Sequence, residues 1–314
     1  MSSWQLATVT LNGTLDRVIL VPSLALGQIH SAESVVTLAG GKGVNVARTA
    51  HALGAELMTT GLVAGQCGQW ICALLKQEGI PGRFIPLSQG ESRISTIIVD
   101  SNRGQTTVVN DWGPEVSADV WPGIRSQLGA IVEGYPWVAL CGSSLSGLPD
   151  SVYADLCNDI QAHGQRVCLD ARGQWLAEAL AARPYLVKCN RYEAAQVLGV
   201  AIRTPKEALR AIQQWVELGI ERVVVTLGSN GAVAVENGGS WHVKAPRIGA
   251  LCPVGSGDAM LAGLIAAMAR GDLLPVATQY GVALGTANAL ALGSGQCDLD
   301  EVPRLLRSTL VHPL

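Results

Sequence analysis

The sequence predicts an α/β fold: a mostly parallel sheet with helices on both faces, and a second, smaller sheet projecting from it. Three observations predict it. From about Trp137 onward, short apolar runs alternate with stretches of helical periodicity, as a parallel sheet covered on both faces requires. The first 110 residues instead carry several short strand-like runs broken by only two helices. Finally, the chain has 314 residues, 48% of them hydrophobic, enough for one large domain with its own core. A chain of this size buries about 75% of the surface it exposes when unfolded.

In the N-terminal third, WQLATVTL (4–11), RVILV (17–21), ESVVTLA (33–39), RISTIIVD (93–100) and QTTVV (105–109) read as strands. Helices are expected near 44–53 and 68–78. Alternating strands such as RISTIIVD can leave one face in solvent or against a ligand, which is the reason to place them in a projecting sheet. Further on, WVALC (137–141) reads as a strand, and Val152, Leu156 and Ile160 form a helical stripe. VCLDA (167–171) and YLVKC (185–189) are strands flanking a helix over 174–182. Residues 205–218 open with Pro205, carry Leu209, Ile212 and Val216 on one face, and stop at Gly219. RVVVTLG (222–228) and GAVAV (231–235) are buried strands, and 257–269 and 274–292 are buried helices. The 36 glycines exceed the usual share of roughly 7% and have no collagen period, so they mark turns and close backbone approaches.

Charge and composition narrow the function. The formal net charge is -3, with no cluster of Lys and Arg, so no nucleic-acid partner is expected. The opening MSSWQLATVTL lacks the layout of a signal peptide. Of the two most apolar stretches, one is too short to span a bilayer and the other carries Thr278, Gln279, Tyr280 and Asn288. No membrane partner is expected, and the protein is expected in the cytoplasm. None of the eight cysteines has CxxC spacing, and Cys141, Cys168 and Cys189 sit in strand-like runs as small core residues.

Two segments carry chemistry. In PVGSGDAMLAG (253–263), Gly255, Ser256 and Gly257 precede a strong helix, and their N–H groups can converge on an anion at its N-terminus. Asp258, in the first turn, reads equally as an ordinary N-terminal helix acid or as a base for a hydroxyl attacking a phosphorus held there. In AGGKGVNVARTAHALG (39–54), Gly40, Gly41 and Gly43 allow close approach, Lys42 brings charge and Asn45 a two-way hydrogen-bonding group. Glycines alone would mean no more than a turn capping a helix. Other motifs fail: there is no GxxxxGK[ST], both glycine segments lack the third glycine of GxGxxG, and GSSLS (142–146) lacks the last glycine of GxSxG.

GGKGVN and VGSGDAMLAG together resemble the two signatures of the PfkB, or ribokinase-like, carbohydrate kinases. LNGTLDRVI (11–19) is similar to the opening of the 1-phosphofructokinase and tagatose-6-phosphate kinase branch. CGSSLSG resembles a sugar-side loop, KCNRYE (188–193) the family's K-P-N-x-x-E, and VVVTLGSNGA (223–232) its nucleotide loop. The resemblance implies a doubly wound α/β domain over 1–314, with lid strands from about 12–38 and 88–110 and a possible homodimer through the lid. It implies ATP and Mg²⁺, with a sugar or sugar phosphate as partner. Asp258 would be the base and Gly255, Ser256 and Gly257 the anion hole. Asp16, Gly41, Lys42 and Asn45 would hold sugar hydroxyls, and Lys188, Thr226, Gly228 and Gly231 the nucleotide. Asn190 and Glu193 would place Mg²⁺ through water.

Arg93 corresponds to an arginine that binds the substrate's phosphate in the phosphosugar branch. Departures from that branch are Ile29-His30-Ser31 where V-N-R is common, Cys189 for Pro, and Asp111-Trp112 in a turn where a tryptophan could reshape the pocket or stack on a sugar. The expected activity is ATP-dependent phosphorylation of a hexose phosphate of the tagatose-6-phosphate, fructose-1-phosphate or fructose-6-phosphate type. The alternatives are a kinase for an unphosphorylated sugar, sugar derivative or nucleoside, and a non-catalytic sensor.

Overall fold

The computed structural model describes residues 4–314. Its N-terminal part runs β1 (Gln5–Thr10), β2 (Thr14–Val21), β3 (Ser34–Gly40), α1 (Lys42–Ala52), β4 (Glu56–Ala64), α2 (Gly65–Gln77), β5 (Gly82–Leu87), β6 (Arg93–Asp100) and β7 (Gln105–Asn110). There follow α3 (Trp121–Val132), β8 (Trp137–Gly142), α4 (Val152–Ala162), β9 (Arg166–Ala171), α5 (Gly173–Ala179), β10 (Leu186–Asn190), α6 (Arg191–Leu198) and α7 (Pro205–Glu217). The chain closes with β11 (Arg222–Thr226), β12 (Ala232–Glu236), β13 (Gly239–Lys244), α8 (Ser256–Ala269), α9 (Leu274–Ala289), α10 (Val302–Ser308) and β14 (Leu310–Pro313).

Ten strands form one sheet in the order β14-β13-β12-β11-β10-β9-β8-β1-β4-β5. It is parallel from β5 to β11, and β12, β13 and β14 are added antiparallel. Helices cover both faces, so the central strands are apolar on both sides, and every residue of β8 is buried. On α7, the Thr204–Glu207 capping box and Pro205 set the start, and Ala208, Ala211, Ile212 and Trp215 turn inward. Cys141, Cys168 and Cys189 are free and buried on β8, β9 and β10. Among the described residues no helix is long and apolar enough to cross a membrane.

The second sheet has the order β3-β2-β6-β7. Its central strands β2 and β6 pair in parallel from Thr14 opposite Arg93 to Val21 opposite Asp100. Val18, Ile97 and Val99 pack with Cys252 on one face, while Val35 and Val109 are exposed. The register sets Asp16 and Arg93 at the root of this sheet, where it meets the larger one.

Four strands went unread in the sequence. β14 is four residues long and contains a proline, and β5 is an edge strand with Pro86, both weak strand signals. β13 opens on Gly239-Ser240 and is only half-buried, and β4 carries polar Thr59 and Thr60 in a buried run. The last long helix stops at Ala289 and not at 292. Asn288 there donates to the Val254 carbonyl and accepts from Gly295 N–H, which draws the chain into a turn. Likewise the expected helix over 174–182 is α5 followed by a 3-10 turn, Leu180–Ala182.

Candidate active site

The carboxyl ends of the parallel strands and the root of the small sheet enclose a cavity of about 920 Å³. Open α/β sheets bind ligands in this position. Asp16, Gly41, Lys42, Asn45, Arg93, Lys188, Asn190, Thr226, Gly228, Gly231, Gly255, Ser256, Gly257 and Asp258 all line it. Of the residues given a role in the site by resemblance, Glu193 alone is not among those lining it.

At one side α8 begins. Gly255 is its N-cap in the left-handed region (φ 85°), and a Cβ there would stand 2.8 Å from Gly295 N. Asn288 on α9 clamps the turn, donating to the Val254 carbonyl at 2.9 Å and the Ser256 hydroxyl at 3.3 Å. Among the described residues the Gly255 and Gly257 amides donate to no protein group, so both are free for an anion. Ser256 departs from expectation: its N–H closes a turn onto the Pro253 carbonyl at 3.2 Å. The Lys188 ammonium lies beside this turn, 2.7 Å from where a Cβ on Gly257 would sit.

Asp258 is buried at the nest, and its Oδ2 accepts from Asn45 Nδ2 at 2.8 Å. Burial and then the charge of Asp170 push its carboxyl up to about 6, against the pull of Lys188, Lys42 and the Asn45 bond. The Asn45 amide lines the cavity and is held by the protein at both ends, since Oδ1 accepts from Arg48 Nη1 at 3.2 Å. Lys42 lines the cavity, and its ammonium donates to Asp170 at 2.7 Å and to Glu193 at 2.8 Å. Asp170, fully buried, takes Lys188 on its other oxygen at 2.5 Å. Burial opposes its charge, yet the two lysines hold its carboxyl below the ordinary carboxylate value.

Asn190 and Glu193 form a capping box on α6. Asn190 Oδ1 accepts from the Tyr192 and Glu193 amides, and Glu193 Oε2 accepts from Asn190 N–H at 2.8 Å. Nearby, Gly228–Asn230 is a 3-10 turn after Thr226, closed by Leu227 N–H on the Gly231 carbonyl at 2.7 Å. Gly231 (φ 84°) has no room for a side chain, because a Cβ would meet the Val243 carbonyl at 1.9 Å.

At the root of the small sheet Asp16 and Arg93 also line the cavity. Burial pushes the Asp16 carboxyl up to about 7, with Arg48 and Arg93 pulling it down and Asp258 adding to the rise. The neutral form is thus favoured by folding. Its contribution to stability is whole below 3.8, the ordinary value, and is lost as the pH rises through about 7. Asp16→Asn, neutral throughout, should therefore melt above the parent at pH 8, with a margin that shrinks towards pH 4. Melting curves across that range check this, and a margin independent of pH would refute it. Arg93 Nε is buried with no hydrogen-bond partner, and burial lowers the guanidinium pKa, with Asp16 opposing.

Sequence reasoning missed Asp170, Arg48 and Arg172. Asp170 is the penultimate residue of β9, a strand that was given no functional reading. Arg172 follows two residues later and is exposed, with no ion pair among the described residues, and its charge bears on Arg93. Trp112 is 91% exposed and absent from the cavity lining, so it does not stack in the pocket, and Asp111 Oδ2 instead accepts from Ile94 N–H at 3.2 Å.

Known proteins match this chain throughout. The profile described as "pfkB family carbohydrate kinase" matches residues 9–301. The 1-phosphofructokinase of Bacillus subtilis (strain 168) is 30% identical over 284 residues, covering 90% of this chain and 92% of that protein. The crystal structure of phosphofructokinase-2 from Escherichia coli in complex with substrates and products superposes with a TM-score of 0.88 and 26% identity, over 96% of this chain and 98% of that one. A possible 1-phosphofructokinase from Thermotoga maritima reaches a TM-score of 0.90 at 22% identity, over 99% of both chains, a likeness of fold. The ribokinase-like α/β class expected from the sequence is the observed one. With a signature match across nearly its whole length and a fold shared end to end, the chain belongs to the pfkB family of carbohydrate kinases, enzymes that use ATP as phosphoryl donor.

Proposed function

We propose that this kinase phosphorylates a hydroxyl of a ketohexose phosphate, with fructose 1-phosphate as the first acceptor to try. The observation that carries the reading is the Arg93 guanidinium. It is half-buried in the cavity wall at the root of the small sheet, its Nε has no partner, and Arg172 adds a second positive charge nearby. Unpaired buried donors are costly, and an acceptor phosphate would satisfy them with charge-assisted bonds. The name of the Bacillus relative supports the same acceptor class.

In this reading the γ-phosphoryl group rests on the Gly255 and Gly257 amides beside Lys188. Asp258 takes the acceptor proton as the new oxygen–phosphorus bond forms and the bond to the β,γ-bridging oxygen breaks. Asp16 binds acceptor hydroxyls. Lys188, Thr226 and the 228–231 turn hold the nucleotide.

The residues present fit Mg²⁺ only through water. Among the described residues no group of three or more His, Cys, Asp or Glu could hold a metal, and both Glu193 oxygens already accept hydrogen bonds. An Mg²⁺ that keeps most of its waters and arrives with the nucleotide suits such a site. It would neutralise charge on the phosphate oxygens, with Glu193 and Asn190 holding its waters.

The test is an acceptor panel with ATP and Mg²⁺, read by ADP release. Fructose 1-phosphate, fructose 6-phosphate and tagatose 6-phosphate should include a substrate whose kcat/KM exceeds that of plain fructose and tagatose by about tenfold or more, as one charge-assisted contact implies. Equal or better turnover of the plain sugars would sink the phosphosugar reading and leave the kinase assignment standing.

A further inference from the structure

Arg48 lies on α1 one turn beyond Asn45 and is 6% exposed. Its guanidinium is engaged in every direction. Nη1 donates to Asn45 Oδ1 at 3.2 Å and to the Ser294 carbonyl at 2.9 Å. Nη2 donates to the Ala39 carbonyl at 2.6 Å, near the end of β3, and to Glu78 at 2.9 Å. Nε pairs with the other Glu78 oxygen. It does not line the cavity, so it touches no substrate.

A carboxamide has a donor end and an acceptor end, and a guanidinium only donates. With Arg48 at one end, Asn45 must turn Oδ1 towards it, and Nδ2 then faces Asp258. The opposite sense would set donor against donor at Arg48 and oxygen against carboxylate at Asp258. We propose that Arg48 is a positioning residue, which fixes the sense of the Asn45 amide so that a donor stays on Asp258 Oδ2 while Oδ1 remains free for the acceptor proton. Among the described residues Oδ1 of Asp258 takes no hydrogen bond. The inference rests on the reading of Asp258 as the base. A lysine could keep the charge and reach Glu78, but as a point charge it cannot grip Glu78, Ala39, Ser294 and Asn45 together.

The groups that bear on Asp258 are Asn45 and Lys42 from α1, Asp170 from β9, Lys188 from β10 and Asp16 from β2. All are retained in Arg48→Lys. There the amide is free to turn, and the charged form of Asp258 loses its donor. The acid limb of kcat should move up by about one pH unit, the size of one lost charge-assisted bond. Rate should recover at alkaline pH and the KM for ATP should hold. An arginine that merely pinned structure would lower kcat at every pH. In an Asn45→Ala background the limb is already displaced, and adding Arg48→Lys should move it no further.

Asn45→Asp, which leaves Arg48 in place, puts an acceptor against Asp258 and should also raise the limb. This arm stands even if Arg48→Lys fails to fold. A limb at the parental position in Arg48→Lys or in Asn45→Asp overturns the proposal, as does a full additional shift in the Asn45→Ala background. Failure of the underlying reading shows separately, as near-parental turnover in Asp258→Asn.

Discussion

Asp258→Asn should lower kcat by about 10²–10⁴-fold, the range that a positioned general base supplies. The substitution keeps the shape and the Asn45 contact and removes only the basic oxygen. ATP affinity should be nearly unchanged, because the anion-facing amides at Gly255 and Gly257 are backbone groups. The parent should also show a pH signature. Burial and the Asp170 charge set the Asp258 carboxyl at about 6, and the base acts only when ionised. Activity should therefore rise through about pH 6 and level off above it. In the Asn variant that limb should vanish along with the rate. Steady-state kinetics from pH 5 to 8, with nucleotide binding measured in parallel, check both statements. Turnover within about threefold of the parent would remove Asp258 from the mechanism.

Arg93→Ala should lower kcat/KM for the phosphorylated acceptor by roughly 10- to 100-fold. A charge-assisted bond contributes about 1.5–3 kcal/mol, and about 1.4 kcal/mol is a factor of ten. Arg93→Lys should recover part of the loss, since it restores the charge without the two-pronged geometry. Arg172→Ala should act in the same direction and more weakly, by about fivefold or less, because its side chain is exposed and its charge is screened. Plain fructose should be indifferent to all three changes. The measurement is kcat/KM for each variant with matched phosphorylated and plain sugars. Equal effects on both acceptors would mean that Arg93 shapes the pocket without meeting a phosphate.

These two residues also differ in how openly the sequence declared them. Asp258 stands in a glycine-rich run before an apolar helix, and that arrangement is local, so its place at an anion-binding turn could be read directly. Gly231 was reached only through resemblance, and the reason it admits no side chain, a Cβ that would meet the Val243 carbonyl, lies in the packing of another strand. Arg93 was legible only through resemblance, since a lone arginine at the start of a strand carries no local mark. Arg172 had no mark at all. Its relation to Arg93 depends on the end of β9 being brought near the root of the small sheet, which no periodicity encodes.

By itself the sequence determined the class of the fold, because alternation of apolar runs with helical stripes is a property of neighbouring residues. It determined the pair of glycine segments for a related reason, since a backbone that must approach a ligand closely excludes side chains. The tertiary structure alone decided how the polar groups are partnered. Asn45 and Asp258 lie 213 residues apart, and Lys42 and Asp170 lie 128 apart, yet each pair is in direct contact. By their own chemistry Lys42 and Asn45 read only as a charge and a two-way hydrogen-bonding group, and the sugar role came from resemblance; neither reading names their protein partners. Half-buried beside two carboxylates, Lys42 gains from their counter-charge, and the buried Asn45 amide needs both its ends satisfied. Asp170, Glu193 and Arg48 meet those needs; Asp170 comes from a strand that carried no functional signal, and the pairing of the other two depends on contacts that local sequence does not encode.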